Sequence, residues 1–99
     1  QISRRFASRP DDMLAFEIYN EPHNNMTVEW LNQMNLAVLP MIRSTNPTRN
    51  VLFGGLRWMS PSWILQNPEA MHFPANDSHV LLEVHSYDPY SFCGMSSGV

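Results

Sequence analysis

Met13-Leu14-Ala15-Phe16-Glu17-Ile18-Tyr19-Asn20-Glu21-Pro22 is the stretch from which the fold can be read. Met13 to Tyr19 is a short apolar run entered from the turn residues Pro10-Asp11-Asp12, the pattern of a buried strand. Pro22 disfavours helix at Glu21 and cannot donate in a strand ladder, so the strand stops at Asn20-Glu21-Pro22. The strand therefore delivers an amide and a carboxyl at its C-terminal end.

Downstream the period changes. From Thr27, residues Leu31, Met34, Val38, Met41 and Ile42 fall at helical spacing. Thr27 is placed to cap the first turn and Glu29 to complement the helix dipole. Asn46-Pro47 closes the helix, and Pro40 predicts a kink near Leu36 to Pro40 or an early end. Asn50-Val51-Leu52-Phe53-Gly54-Gly55 reads as a second strand. Ser60-Pro61-Ser62 starts a short helix, with Ser60 as its cap and Pro61 in the first helical position, ending near Asn67-Pro68. His79 to His85 is a third strand, running into Ser86-Tyr87-Asp88-Pro89-Tyr90, and the tail after Phe92 reads as loop.

The strand ends at Glu21, Gly55 and His85 lie 34 and 30 positions apart. A strand-helix-strand unit needs about 30 residues, so the spacing predicts parallel strands joined by crossovers. The fold class is α/β. All three strand C-termini then share one edge, and Asn20, Glu21, His23, Arg57, Trp58, His85, Tyr87 and Asp88 gather there. α/β sheets bind ligands at that edge.

Composition excludes several functions. The net charge is −3, the six bases are all arginine, and there is no basic stripe to bind nucleic acid through phosphates. Arg4, Arg5 and Arg9 beside Asp11 and Asp12 read as a solvated helix end. No apolar run approaches the roughly 20 residues of a membrane span. The single cysteine, Cys93, permits neither an internal disulfide nor a cysteine zinc cluster. Asn25-Met26-Thr27 and Asn76-Asp77-Ser78 are acceptor sequons for N-glycosylation in a chain secreted by a eukaryote. The start, Gln1-Ile2-Ser3-Arg4-Arg5, lacks an initiator methionine and an apolar signal region, and reads as a cut.

Side chains alternate faces along a strand, so Glu17, Tyr19 and Glu21 point one way, and Glu83, His85 and Tyr87 share a face. In a closed barrel, Glu17 and Glu83 would lie deeper than Glu21, His85 and Tyr87, as hydrogen-bonded interior carboxyls. Glu21 reads in two ways: as a carboxyl kept protonated near neutral pH by partial desolvation, or as a loop glutamate accepting backbone hydrogen bonds. Asn20 can orient a substrate hydroxyl or pair with the turn. His85 and Tyr87 can bond a catalytic carboxylate or a sugar, or serve as satisfied polar packing. Trp58 can stack on a sugar ring, while Trp30 and Trp63 fall in helical patterns and read as core. His23, His72 and His79 do not converge at a metal-binding spacing, so no metal is expected. No Gly-rich phosphate loop is present, and the seven methionines suggest an adaptable interior.

Leu14 to Pro22 resembles the Asn-Glu-Pro signature of family 5 glycoside hydrolases, the cellulase family. The resemblance continues through Ile42 to Asn50 and Phe53-Gly54-Gly55, and ends in His85-Ser86-Tyr87-Asp88-Pro89-Tyr90, which is similar to the family's His-x-Tyr element. It covers roughly residues 12–93, with the elements in family order. It implies three β/α units corresponding to strands four to six of a TIM (β/α)8 barrel, incomplete in this chain, so that residues 1–99 are part of a catalytic domain. It also implies that Glu21 is the general acid/base, that Asn20 contacts the sugar 2-hydroxyl, and that His85 and Tyr87 line the cleft, the tyrosine near the nucleophile. Trp58 as a subsite residue is a looser inference.

The expected activity is that of a secreted, extracellular endo-β-1,4-glucanase, retaining in mechanism and without cofactor, acting on a β-glucan. The family's nucleophile, a glutamate at the end of the seventh strand, has no counterpart here. That absence motivates two alternatives: a non-catalytic carbohydrate-binding or assembly fragment, and a chain in which Asp88 or Glu83 substitutes. Raw sheet edges would invite self-association.

Overall fold

Val51 and Phe53, at 0% and 1% exposure, are the spine of the core. In the computed structural model, which describes residues 1–94, they lie on the central strand of a parallel sheet ordered β1-β2-β3. The strands are β1 (Phe16–Glu17), β2 (Val51–Gly54) and β3 (Val80–Glu83). Phe16 is in register with Val51 and Val51 with Val80, while Gly54 faces Glu83. Sequential strands are therefore adjacent, which fits three consecutive β/α units of a barrel left open in this chain. β1 is shorter than the apolar run from Met13 to Tyr19 suggests. It is an edge strand here, so ladder bonds form only where β2 lies beside it.

α2 (Val28–Arg43) is the main crossover helix. Its Thr27 hydroxyl accepts from the Trp30 N–H at 3.2 Å, as the sequence predicts. The helix continues through Pro40 to Arg43, so the early end allowed for at that proline does not occur. Pro40 and Leu36, whose carbonyl loses its usual donor, both lie on the exposed side, where water can satisfy that carbonyl. The buried stripe passes through Leu31, Asn35, Leu39 and Ile42, and Met41 is exposed. Trp30, expected in the core, is 48% exposed and stands edge-on to Tyr19; Trp63 does pack against the core.

The second crossover holds α3 (Leu56–Met59) and α4 (Pro61–Gln66). Ser60 occupies the N-cap position of α4, but its hydroxyl pairs with that of Ser62 at 2.7 Å and caps nothing. Leu31, Leu39, Ile42, Val51, Phe53 and Met71 form the core between the helices and one face of the sheet. The short helices α1 (Ile2–Arg5) and α5 (Tyr90–Cys93) lie near the ends of the chain. Cys93 is thus helical, contrary to the loop expected after Phe92, and the rest of that tail, 95–99, lies outside the described residues.

Two arginines lock the frame. The Arg49 guanidinium, fully buried, donates to the carbonyls of Pro10, Leu14, Phe6 and Arg9 and so ties the N-terminal segment to β2. Arg43 forms a fork on Asp77 at 2.7 and 3.0 Å and also donates to the carbonyls of Asn46, Arg49 and His79, joining the end of α2 to the start of β3. Among the described residues, no helix is long and apolar enough to cross a membrane.

Candidate active site

The face of the sheet opposite the helices carries the polar residues. Glu17 is in register with Leu52, and Glu83 with Gly54; since positions 52 and 54 share a face, so do Glu17 and Glu83. Their carboxyl oxygens and a ring nitrogen of His85 all lie within 4.8 Å of one another. The alternation read from the sequence therefore places these three together.

Beyond the strand ends, Glu21 takes a left-handed backbone (φ 49°), and the turn through Arg57, Trp58 and Met59 does the same (φ 53°, 59° and 57°). Such a conformation costs a non-glycine residue roughly 1–2 kcal/mol and persists only where its surroundings hold it. Here the holders are visible. The Trp58 N–H donates to the Pro22 carbonyl at 3.1 Å, and the Met59 carbonyl accepts from the His85 N–H at 2.9 Å. Met59 itself is fully buried, its side chain against Gly54, where any Cβ would collide with it. α3 is thus a brace between the end of β1 and the end of β3.

That brace brings Glu21 and His85 together. Glu21 Oε1 lies 2.8 Å from His85 Nδ1, and the Tyr87 hydroxyl donates to the same oxygen. His85 Nε2 points the other way, 3.4 Å from Glu83 Oε1. Glu21 is partly shielded, its side chain 20% exposed. The hydrogen bonds from Tyr87 and then His85 outweigh that shielding and hold its carboxyl below the usual range. The expectation of a carboxyl kept protonated by desolvation is thus corrected: in this chain Glu21 is a stabilised carboxylate. Tyr87 rests on Glu21, where the family resemblance puts it near the nucleophile. The Glu21 bond raises the pKa of His85 above its ordinary value and does the same for the Tyr87 phenol. Glu17 is exposed, but partial desolvation at the sheet face, followed by repulsion from Glu83, raises its pKa.

Asn20 is exposed beside Glu21. Trp58 is half-exposed, and one face of its indole is covered by the His23 ring, stacked at 5.1 Å and 11°. His23 Nδ1–H donates to the Glu21 carbonyl at 2.6 Å. His23 is the site residue whose role the sequence reading missed; its position one residue after Asn-Glu-Pro was the available signal. Asp88 is exposed in the segment after β3. The Glu17-Glu83-His85 group also has the spacing of a cation site, an arrangement that exposed acidic groups commonly adopt without an ion.

A carboxylate held by an imidazole and a phenol, with a half-exposed indole nearby, thus sits at the C-terminal edge of the parallel strands. The cellulase model, glycosyl hydrolase family 5, matches residues 1–98, and the chain belongs to that family. It is 40% identical over 92 residues to Endoglucanase H of Acetivibrio thermocellus, covering 93% of this chain and 10% of that protein. An endoglucanase structure superposes with a TM-score of 0.81 at 34% identity, over 98% of this chain and 29% of that one. Thermotoga maritima Cel5A, solved in complex with mannotriose, gives a TM-score of 0.80 at 29% identity over 98% of this chain and 30% of that one. The same protein has been solved in complex with cellobiose. The chain spans about a tenth of the first relative and under a third of the solved structures.

Proposed function

We propose that this chain is the central part of the catalytic domain of a secreted, retaining endo-β-1,4-glucanase, with Glu21 as the general acid/base. The observation that carries the reading is the single Glu21 oxygen gripped by His85 and Tyr87 at the sheet's C-terminal edge. The relatives' printed names, endoglucanases, and the cellobiose complex of a structural neighbour support the substrate class.

A retaining glycosidase uses two carboxyls about 5–5.5 Å apart. By the family resemblance, the partner of Glu21 is a glutamate on a strand outside this chain. Its negative charge, set that close, raises the Glu21 pKa and supplies the protonated state that the acid step needs. Glu21 then gives its proton to the glycosidic oxygen as the bond from that oxygen to the anomeric carbon breaks and the partner carboxylate bonds to that carbon. In the second step Glu21 takes a proton from water while the water oxygen displaces the enzyme carboxylate. Asn20 meets the 2-hydroxyl at the reacting ring. Trp58, backed by His23 on one face, offers its other face to a neighbouring sugar. No metal or organic cofactor enters this scheme.

The test is the anomeric configuration of the first product, followed by NMR during hydrolysis of a cellooligosaccharide by the complete enzyme. The retaining assignment requires the β-anomer to appear first. First appearance of the α-anomer contradicts it. Oligosaccharide binding without any cleavage would support the carbohydrate-binding alternative.

A further inference from the structure

We infer that Glu83 is a positioning residue for this reaction: it holds His85 as an imidazolium against Glu21 through the part of the cycle in which Glu21 carries its own proton. The inference rests on the reading of Glu21 as the acid/base.

The geometry is a chain of three groups. His85 Nδ1 faces Glu21 Oε1 at 2.8 Å, and Nε2 faces Glu83 Oε1 at 3.4 Å. A neutral imidazole has one N–H and one lone pair, so it would aim a lone pair at one of these oxygens. The doubly protonated ring donates to both. Consistent with this, the bonds to Glu21 and Glu83 raise the pKa of His85 against the opposing effect of burial.

The two carboxylates are not equivalent in time. When Glu21 is ionised, it attracts the imidazolium directly. When Glu21 is protonated, that attraction disappears, and Glu83 is the carboxylate left on the ring. Other groups near the pair do not replace it. Glu17, facing from β1, is exposed to solvent, and the hydrogen bonds of the His85 ring go to Glu21 and Glu83 rather than to it. Tyr87 spends its hydroxyl proton on Glu21, and His23 Nδ1–H is spent on the Glu21 backbone carbonyl. The second oxygen of Glu83, Oε2, is buried without a hydrogen-bond partner among the described residues. The one hydrogen bond of this carboxylate is thus to His85.

Glu21→Gln imitates the protonated form of Glu21, which makes the inference testable. The His85 ring resonances of the complete enzyme, labelled with 15N-histidine and assigned by their loss in His85→Asn, are titrated in Glu21→Gln with and without Glu83→Gln. Glu83→Gln is expected to shift the His85 midpoint downward in that background. Glu83→Asp, which keeps the charge but withdraws it by one methylene, is expected to fall between the two and covers the case in which Glu83→Gln does not fold. An unchanged midpoint in both variants overturns the inference. The reading of Glu21 stands or falls on hydrolysis by Glu21→Gln alone, a separate measurement, so the two failures are distinguishable.

Discussion

His85 and Glu21, 64 positions apart, meet at 2.8 Å because the His85 backbone N–H is itself fastened to the Met59 carbonyl. The Glu21–His85 contact and the backbone brace are one structure. The brace runs from Pro22 through Trp58 and Met59 to His85, so a change on any strand end is felt at the others.

Gly54 is where that coupling can be broken without touching a polar group. An alanine Cβ there would lie 2.7 Å from the Met59 sulfur, and the Met59 side chain is fully buried. Gly54→Ala should destabilise the domain by about 1–3 kcal/mol, the range for overpacking. It should also lower kcat more than it raises KM, because the Met59 carbonyl moves with its side chain. Urea unfolding and steady-state kinetics on the complete enzyme check both.

Tyr87→Phe removes the leading cause of the depressed Glu21 pKa. The Glu21 pKa should rise, and since the acid step needs protonated Glu21, the alkaline limb of the kcat/KM profile should move to higher pH. A limb that stays in place or moves down contradicts the assignment of that limb to Glu21.

Trp58→Ala should raise KM for cellooligosaccharides about five- to tenfold while leaving kcat nearly unchanged, the pattern of lost uniform binding. Loss of kcat at constant KM would place the indole in the reaction itself.

The Arg43–Asp77 fork predicts a pH dependence of stability. Arg43 holds the Asp77 pKa below its ordinary 3.8, so the folded state binds fewer protons than the unfolded one. The contribution is complete above the ordinary aspartate range and disappears as pH falls through the lowered value. Asp77→Asn should cost about 2 kcal/mol at neutral pH, and the gap from wild type should close in acid. Urea midpoints across pH measure it.

The strand ends were legible because chemistry-bearing residues and chain-breakers coincide there: Glu21 before Pro22, Phe53 before Gly54-Gly55, and His85 after an apolar run. Period-two alternation was enough to put Glu17 and Glu83 together. What escaped reading depends on contacts between segments. Arg57, Trp58 and Met59 have no local preference for left-handed backbone; bonds to Pro22 and His85 impose it. The Glu21 pKa direction was misjudged because burial is readable from a strand end, whereas the Tyr87 bond spans 66 positions. Pro40 survives inside α2 because it falls on the exposed side. The stacking of His23 on Trp58 joins two loops and has no sequence pattern.

The central claim is that Glu21 is the acid/base of an endoglucanase. Its most direct test is reducing-sugar release from soluble cellulose by the complete enzyme and its Glu21→Gln variant, with folding matched by circular dichroism. The predicted result is a loss of about a hundredfold to ten-thousandfold in kcat, the range for removing a general acid/base. Turnover by Glu21→Gln within a few-fold of wild type would contradict the claim.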